Sequence, residues 1–405
     1  MQINVDLHIH SRFSGATSSS MTIRNLAESA PKKGIDVLAT GDCLHRDWQR
    51  EIRECKKIDD GTFEMGKTRF ILSVEVEDKN RVHHLLYFPS LSQVEEFREK
   101  VERYSINLDT DGRPKLRLGG EEIAQLAKDL DILIGPAHAF TPWTALYAYH
   151  DSLKECYGDL ADYVAFLELG LSADSDYADR ISELHRLTFL TNSDSHSPHP
   201  VRLAREFNRM EVRDATFDEI RKAILRRGGN RIVLNVGLPP QEGKYNETAC
   251  IKCYRHYSLK EAISRRWRCV CGGRIKKGVK DRITELSDLE EPKHPDHRPP
   301  YLHIIPLSEI ISKAIGQGSV FTKKVNDLWE NLVTGIGNEV KILVDADIKD
   351  IARYSNPAVA EAIELFREGK VRIIPGGGGR YGIIELKPKE DTPITFNHQK
   401  SLLDF

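Results

Sequence analysis

Apolar residues in the first half of the chain fall into short dense runs, separated by stretches with helical spacing. The runs are INVDLHIH (residues 3–10), IDVLATGD (35–42), FILSVEVE (70–77), RVHHLLYF (81–88), ILIGPAHAF (132–140) and TFLTNSDSH (188–196). Each has the length and apolar density of a strand. The intervening segments TIRNLAESAPKKG, LSQVEEFREKVERYS, GGEEIAQLAKDL and YADRISELHRL place apolar residues every three or four positions, and TFDEIRKAILRRGGN does so before a last strand, RIVLNV. Alternating strands and helices predict an α/β unit over residues 1–238 with a mostly parallel sheet, most simply a barrel.

The pattern then changes. Pro239-Pro240 and Gly243 mark a linker, and residues 244–282 hold four clustered cysteines. The acidic, proline-rich ELSDLEEPKHPDHRPP is a connector. Residues 300–388 predict a small, mainly helical α/β domain: helices at SEIISKAIG, TKKVNDLWENLVTG and NPAVAEAIELFREG, strands at EVKILVD and VRIIP, and a turn at Gly376–Gly379. Residues 391–405 read as a tail.

Composition narrows the class. A 405-residue chain with 40% hydrophobic and 30% charged residues suits a soluble protein of two or three domains. No stretch approaches the roughly 20 apolar residues of a membrane span. The N-terminus runs straight into a strand, without the pattern of a signal peptide. Seven cysteines, an odd number with four of them clustered, fit a metal module and a cytoplasmic location better than a disulfide framework.

The strand runs end in candidate ligands: His8 and His10, Asp42, Glu75, His83-His84, His138, and Asp194 with His196. His8 and His10 are two apart, as are Asp194 and His196, so each pair shares one face of an extended strand. Active sites of (β/α) barrels form at the C-terminal ends of the strands. Imidazoles and carboxylates gathered there predict a centre of two or three divalent ions (Zn, Mn or Mg), with the mixed donors favouring the first two. Paired ions suit hydrolysis at phosphorus. His83 and His84 face opposite ways, so one of them reaches the ions; His84, which precedes LLYF, is the expected one. His45 and His199 read as surface loop residues, and Cys43 as a small buried one.

DLHIHS, the strand-end Glu75, HHLLYF, PAHAF and NSDSH resemble the motifs of the PHP (polymerase and histidinol phosphatase) family. That resemblance implies a distorted (β/α)7 barrel with a trinuclear metal centre. It assigns ligand roles to His8, His10, Glu75, His84, His138, Asp194 and His196, with Asp194, Glu75 and His138 expected to carry the chemistry. The sequence departs from the pattern twice. SRFSGATS lacks the acidic or His residue often found after the first motif, and Gly41-Asp42-Cys43 stands where Thr-Asp-His is common. Asp42 is the candidate ligand in place of the missing histidine.

Cys250, Cys253, Cys269 and Cys271 form a C-x2-C, C-x-C set, the signature of a structural zinc with a closed shell. Between Lys244 and Arg282 there are twelve Lys or Arg against three Asp or Glu, a balance of +9 in a chain whose net charge is −2. Charge segregated onto one module predicts contact with nucleic acid through Arg265, Arg266, Arg268, Arg274, Lys276 and Lys277. Gly335-Ile336-Gly337 is either a phosphate cradle or an ordinary turn. Gln399, Leu402 and Phe405 are spaced like a peptide that binds a sliding clamp such as PCNA. Phe140, Trp143 and Tyr147 are candidate walls for a base turned out of the helix, or ordinary loop packing.

Barrel, basic four-cysteine module and helical unit with GGGGRYG, in that order, resemble the endonuclease Q family over nearly the whole chain. The resemblance implies a DNA repair endonuclease acting on double-stranded DNA. Such an enzyme cuts 5′ to deaminated bases (uracil, hypoxanthine, xanthine) and abasic sites. The alternatives are a small-molecule phosphatase of the PHP family and a non-catalytic DNA-binding scaffold.

Overall fold

The computed structural model describes residues 1–386. Seven strands ring the first unit: β1 (Gln2–Asp6), β2 (Val37–Ala39), β3 (Thr68–Glu77), β4 (His83–Phe88), β5 (Leu133–Pro136), β6 (Phe166–Glu168) and β7 (Thr188–Leu190). β1, β2 and β3 pair in parallel, as do β6 and β7. Ala139 N–H donates to the Glu168 carbonyl (2.9 Å), joining β5 to β6. A parallel bridge between Ile9 and Ser195 closes the ring onto β1. The result is a distorted (β/α)7 barrel.

The sheet is mixed where a mostly parallel one was expected. β4 runs antiparallel to both β3 and β5. Between β3 and β4, Asp78 Oδ1 accepts the N–H groups of Asn80 and Val82 at 2.7 and 2.8 Å. That local turn reverses the chain too quickly for a crossover helix. The start of β4 therefore lies at the same end of the barrel as the C-terminal ends of its neighbours. Beyond β1 the sheet continues through Phe207–Glu211 and Arg231–Gly237, both antiparallel, to Tyr301–His303, which lies parallel to the last.

Alternation sorts the side chains. Val5, Val37, Ile71, Leu85, Tyr87, Leu133 and Phe166 point inward and share one core with the helix Phe217–Ile224. Phe70, Leu72, Val74, Leu86 and Phe88 point outward, into a second core that runs on to Ile310, Trp329 and Ile363 of the C-terminal unit. A buried ion pair, Lys33 with Glu339 at 2.5 Å, crosses the same contact, and Trp329 Nε1 donates to that carboxylate at 2.6 Å.

The C-terminal unit consists of helices Leu307–Ala314, Lys323–Ile336, Ile348–Tyr354 and Pro357–Arg367 and the hairpin Arg372–Ile374 with Ile383–Glu385. EVKILVD is helical where a strand was expected. Asn338 Oδ1 accepts from Lys341 N–H (2.8 Å), and Arg367 collects the carbonyls of Ile342, Leu343 and Ala346 at 2.7–2.9 Å. Tertiary capping of this kind overrides β-branched propensity. Among the described residues no helix is long and apolar enough to cross a membrane.

Candidate metal centre

At the open end of the barrel the chain brings His8, His10, Glu75, His83, His138, Asp194 and His196 together. They form three overlapping donor groups: His8/His10/Glu75, His10/Asp194/His196 and Glu75/His83/His138, each with donor atoms within 4.8 Å of one another. Glu75 and His10 each belong to two groups. His10 Nε2 lies 3.2 Å from Asp194 and 3.4 Å from Glu75, and His8 Nε2 lies 3.7 Å from each carboxylate. Donors on a tetrahedral ion stand about 3.3–3.8 Å apart, the edge set by bonds of about 2.0–2.3 Å. His8 Nε2, His10 Nε2 and Asp194 Oδ1 are buried without a hydrogen-bond partner among the described residues. The donor set therefore fits divalent ions.

Backbone strain marks the same places. Asp42, His138 and Asp194 sit at φ of 48°, 30° and 47°, values uncommon for residues other than glycine. Burial alone would pull the Asp194 carboxyl up, but the facing His8 and His10 hold it well below the usual carboxylate range. Glu75 is likewise held low against burial, chiefly by His83 and His138. Burial works against a charged His8, yet Glu168 and Asp194 raise it to about 9. A pocket that favours imidazolium this strongly also favours a divalent cation.

Two carboxylates act from behind. Glu168 lies 2.9 Å from His8 Nδ1, and Asp42 lies 3.1 Å from His10 Nδ1. A carboxylate there is satisfied by a ring N–H, which leaves Nε2 free to bind an ion, the usual support of a metal-binding histidine. Asp42 is thus placed to orient His10, and not among the clustered donors; its Oδ2 is taken by Ser11 N–H and the Ser14 hydroxyl (2.6 and 2.9 Å). Glu168 escaped the sequence reading, although FLELG ends a strand like the other pieces. Arg113 also escaped it. Its guanidinium stands 3.2 Å from Glu75 and comes from a loop with no strand pattern to flag it.

His83, and not His84, faces the cluster. Its Nδ1 lies 2.8 Å from Glu75 and 3.3 Å from His138 Nε2. Register explains the correction: His83 pairs with Glu77 and shares the inward face with Leu85 and Tyr87. His84 points outward with Leu86 and Phe88, and its Nδ1 meets the Tyr157 hydroxyl at 2.8 Å. His45 is buried against Phe13 (ring centroids 4.3 Å apart) where a surface position was expected, and Cys43 is buried as expected.

The four cysteines of residues 244–282 converge, with Sγ–Sγ distances of 3.6 Å (Cys250–Cys271) and 3.5 Å (Cys253–Cys269). Both match the edge of a tetrahedral zinc–thiolate site. The Tyr257 hydroxyl, 3.0 Å from Cys269, holds that thiol down at about 6. The glycine run closes against this module. Gly378, at φ 65°, lies so near that a Cβ would stand 2.4 Å from the Cys250 carbonyl. Arg265, Arg266, Arg268 and Arg274 are exposed on the module. Lys277 is engaged by Glu285 (2.7 Å), and Lys276 lies 3.6 Å over the ring of Trp143. Trp143 is 45% exposed, whereas Phe140 and Tyr147 stack on each other inside the fold. Gly335 sits against the Tyr354 ring, which accounts for that glycine by packing. Gln399, Leu402 and Phe405 lie outside the described residues.

Residues 306–370 match the family model of the MJ0043 C-terminal domain. The uncharacterized protein MJ0043 of Methanocaldococcus jannaschii is 47% identical over 292 residues, 68% of this chain and 36% of that protein, so the chain spans about a third of that relative. Among solved structures, the lesion-specific endonuclease PfuEndoQ from Pyrococcus furiosus superposes with a TM-score of 0.92 at 53% identity, covering 96% of this chain and 98% of that one. An endonuclease Q in complex with a 27-mer duplex carrying an abasic lesion at the active site superposes at 0.91 with 52% identity, covering 99% and 100%. With the donor geometry above, this is the architecture of the metal-dependent phosphodiesterases of the nuclease class. At this identity and coverage the chain belongs to the endonuclease Q family.

Proposed function

We propose that the protein nicks double-stranded DNA on the 5′ side of uracil, hypoxanthine, xanthine and abasic sites, leaving a 3′-hydroxyl and a 5′-phosphate. The observation that carries this reading is the near-complete correspondence with an endonuclease Q caught on a lesion-bearing duplex. It is supported by the ion-ready cluster at the barrel mouth. His8, His10, Glu75, His83, His138, Asp194 and His196 would hold the ions, and Cys250, Cys253, Cys269 and Cys271 the structural zinc. Bound divalent ions supply water activation and neutralise charge on the phosphoryl group. Glu168 and Asp42 keep the imidazoles oriented, and Arg113, about a quarter exposed, offers further N–H donors to a phosphate. A small-molecule phosphatase would have no use for the arginine-bearing module, and an inert scaffold would have no use for the cluster.

The direct test is a gel assay with uracil, hypoxanthine, abasic and undamaged duplexes, with and without chelator. Nicking confined to the damaged strands and abolished by chelator is expected; equal nicking of undamaged duplex would sink the reading. Trp143 is the proposed stacking wall. The Thr144 carbonyl accepts His83 N–H (3.0 Å), which anchors the loop carrying this ring beside the cluster, while the ring itself packs on Lys276 and Tyr245 of the four-cysteine module. Stacking of one base contributes about 1–3 kcal/mol. Trp143→Ala should therefore lower kcat/KM on uracil duplex about 10- to 100-fold and on abasic duplex much less, because no base remains to stack; equal losses on both would contradict the role.

Arg265, Arg266 and Arg268 are proposed to grip backbone phosphates without reading sequence. Replacing all three by Ala should flatten the slope of log K against log salt by about 2–3, since each phosphate contact contributes about 0.9. An unchanged slope would place the duplex elsewhere. In the same reading the protein is cytoplasmic and DNA-associated, and Gln399, Leu402 and Phe405 form a sliding-clamp peptide, checked by loss of clamp binding in Phe405→Ala.

A further inference from the structure

Behind β4, on the face away from the cluster, Asp78, His84 and Cys156 bring a carboxylate, an imidazole and a thiol together, with donor atoms within 4.8 Å of one another. All three residues are buried, at 3%, 0% and 6% exposure. They come from three elements: the turn after β3, β4 itself and the helix Leu153–Tyr157.

The free atoms point to a ligand. Asp78 spends Oδ1 on two backbone N–H groups, and its Oδ2 has no hydrogen-bond partner among the described residues; nor does His84 Nε2. These two atoms face each other at 3.5 Å. That is longer than a hydrogen bond between nitrogen and oxygen, about 2.7–3.2 Å. It equals the edge of a tetrahedral ion and matches the 3.5–3.6 Å spacings of the four-cysteine module. The other ring nitrogen of His84 is held by Tyr157 at 2.8 Å, the outer support that a metal-binding histidine has. Gly120 leaves the space open, since a Cβ there would stand 2.7 Å from Cys156 Sγ and 3.2 Å from His84 Cε1.

We propose that Asp78 Oδ2, His84 Nε2 and Cys156 Sγ form a further metal site, separate from both the barrel-mouth cluster and the four-cysteine module, that takes zinc. One thiolate and one imidazole select a borderline-soft divalent ion over Ca or Mg. Burial pushes the Cys156 thiol up, so the ion displaces its proton on binding. The ion clips the β3–β4 turn and the outer face of β4 to the helix behind, fixing the strand whose inner face carries His83. This site stands independently of the proposed reaction.

The test is anomalous diffraction from crystals of the full chain grown with zinc, recorded above and below the zinc edge. A peak about 2.0–2.3 Å from Nε2, Oδ2 and Sγ is expected, with the four-cysteine site as internal control. An occupied control without a peak at Asp78, His84 and Cys156 overturns the proposal and leaves an ion pair only. Cys156→Ser should lower bound zinc by one equivalent per chain while the four-cysteine peak persists; an unchanged count overturns the proposal as well. If that variant fails to fold, the map of the unaltered protein decides.

Discussion

Asp194→Ala should lower lesion cleavage at least about a thousandfold, the scale seen when a group that stabilises the reacting centre is removed, while the protein stays folded and keeps its four-cysteine zinc. Asp194 closes the outer edge of the cluster, 3.2 Å from His10 Nε2 and 3.7 Å from His8 Nε2. In the clustered group that contains His196, Asp194 supplies the carboxylate, whereas Glu75 reaches only the other side of His10. Its side chain is 31% exposed, so truncation opens no large cavity. At φ 47°, alanine adds backbone strain of about 1 kcal/mol, small against the stability of a domain. Asp194→Asn serves as the partner variant, because asparagine tolerates this backbone and removes only the charge. Both should fail alike and bind fewer ions at the barrel mouth by elemental analysis. Glu168→Gln acts through His8 and should cost about 10- to 100-fold, the usual effect of an outer-shell partner. Activity of Asp194→Ala within tenfold of the unaltered enzyme would remove Asp194 from the centre.

How far the centre was legible follows from the kind of signal each residue gives. His8, His10, Glu75, His138, Asp194 and His196 end apolar runs, and the fold gathers them because barrel strands deliver their ends to one rim. Parity on β4 could not be read, because HHLLYF is apolar on both faces: inward Leu85 and Tyr87 meet one core, outward Leu86 and Phe88 the other. Register against β3, set by the Asp78 turn, decided for His83. The reversal of β4 was hidden for the same reason, since a tight turn and a short loop look alike without that hydrogen-bonding aspartate. Glu168 and Asp42 show that a strand-end carboxylate can serve a histidine instead of an ion, a distinction made by distances of about 3 Å between segments far apart in sequence. EVKILVD failed because its carbonyls are capped by Arg367, more than twenty residues on.

Cys269→Ser should release the module's zinc and cut DNA nicking at least about a hundredfold, while the barrel still hydrolyses a small reporter diester such as bis(p-nitrophenyl) phosphate. The module's own apolar cluster is only Cys250, Tyr257, Ala262, Cys269 and Ile275, with Trp267 against it. Its single ladder pairs Ala249–Cys250 with Ile275–Lys276. So little buried surface cannot order a segment of this length, whereas a structural zinc contributes about 10 kcal/mol or more. Without the ion, two things are lost together. The arginines at 265, 266 and 268 no longer share a surface, and the Gly376–Gly379 turn, bridged to Glu247 through Gly377, loses its support. The barrel keeps both of its cores, which among the described residues involve this region only through Val279, Ile283 and Leu286 of the helix Val279–Leu286. That separation of cores is why the two activities should part. Zinc content, duplex affinity and reporter turnover measured on one preparation test it: parallel loss of reporter turnover would mean that the module holds up the barrel, and retained nicking would mean that the duplex is held by other surfaces.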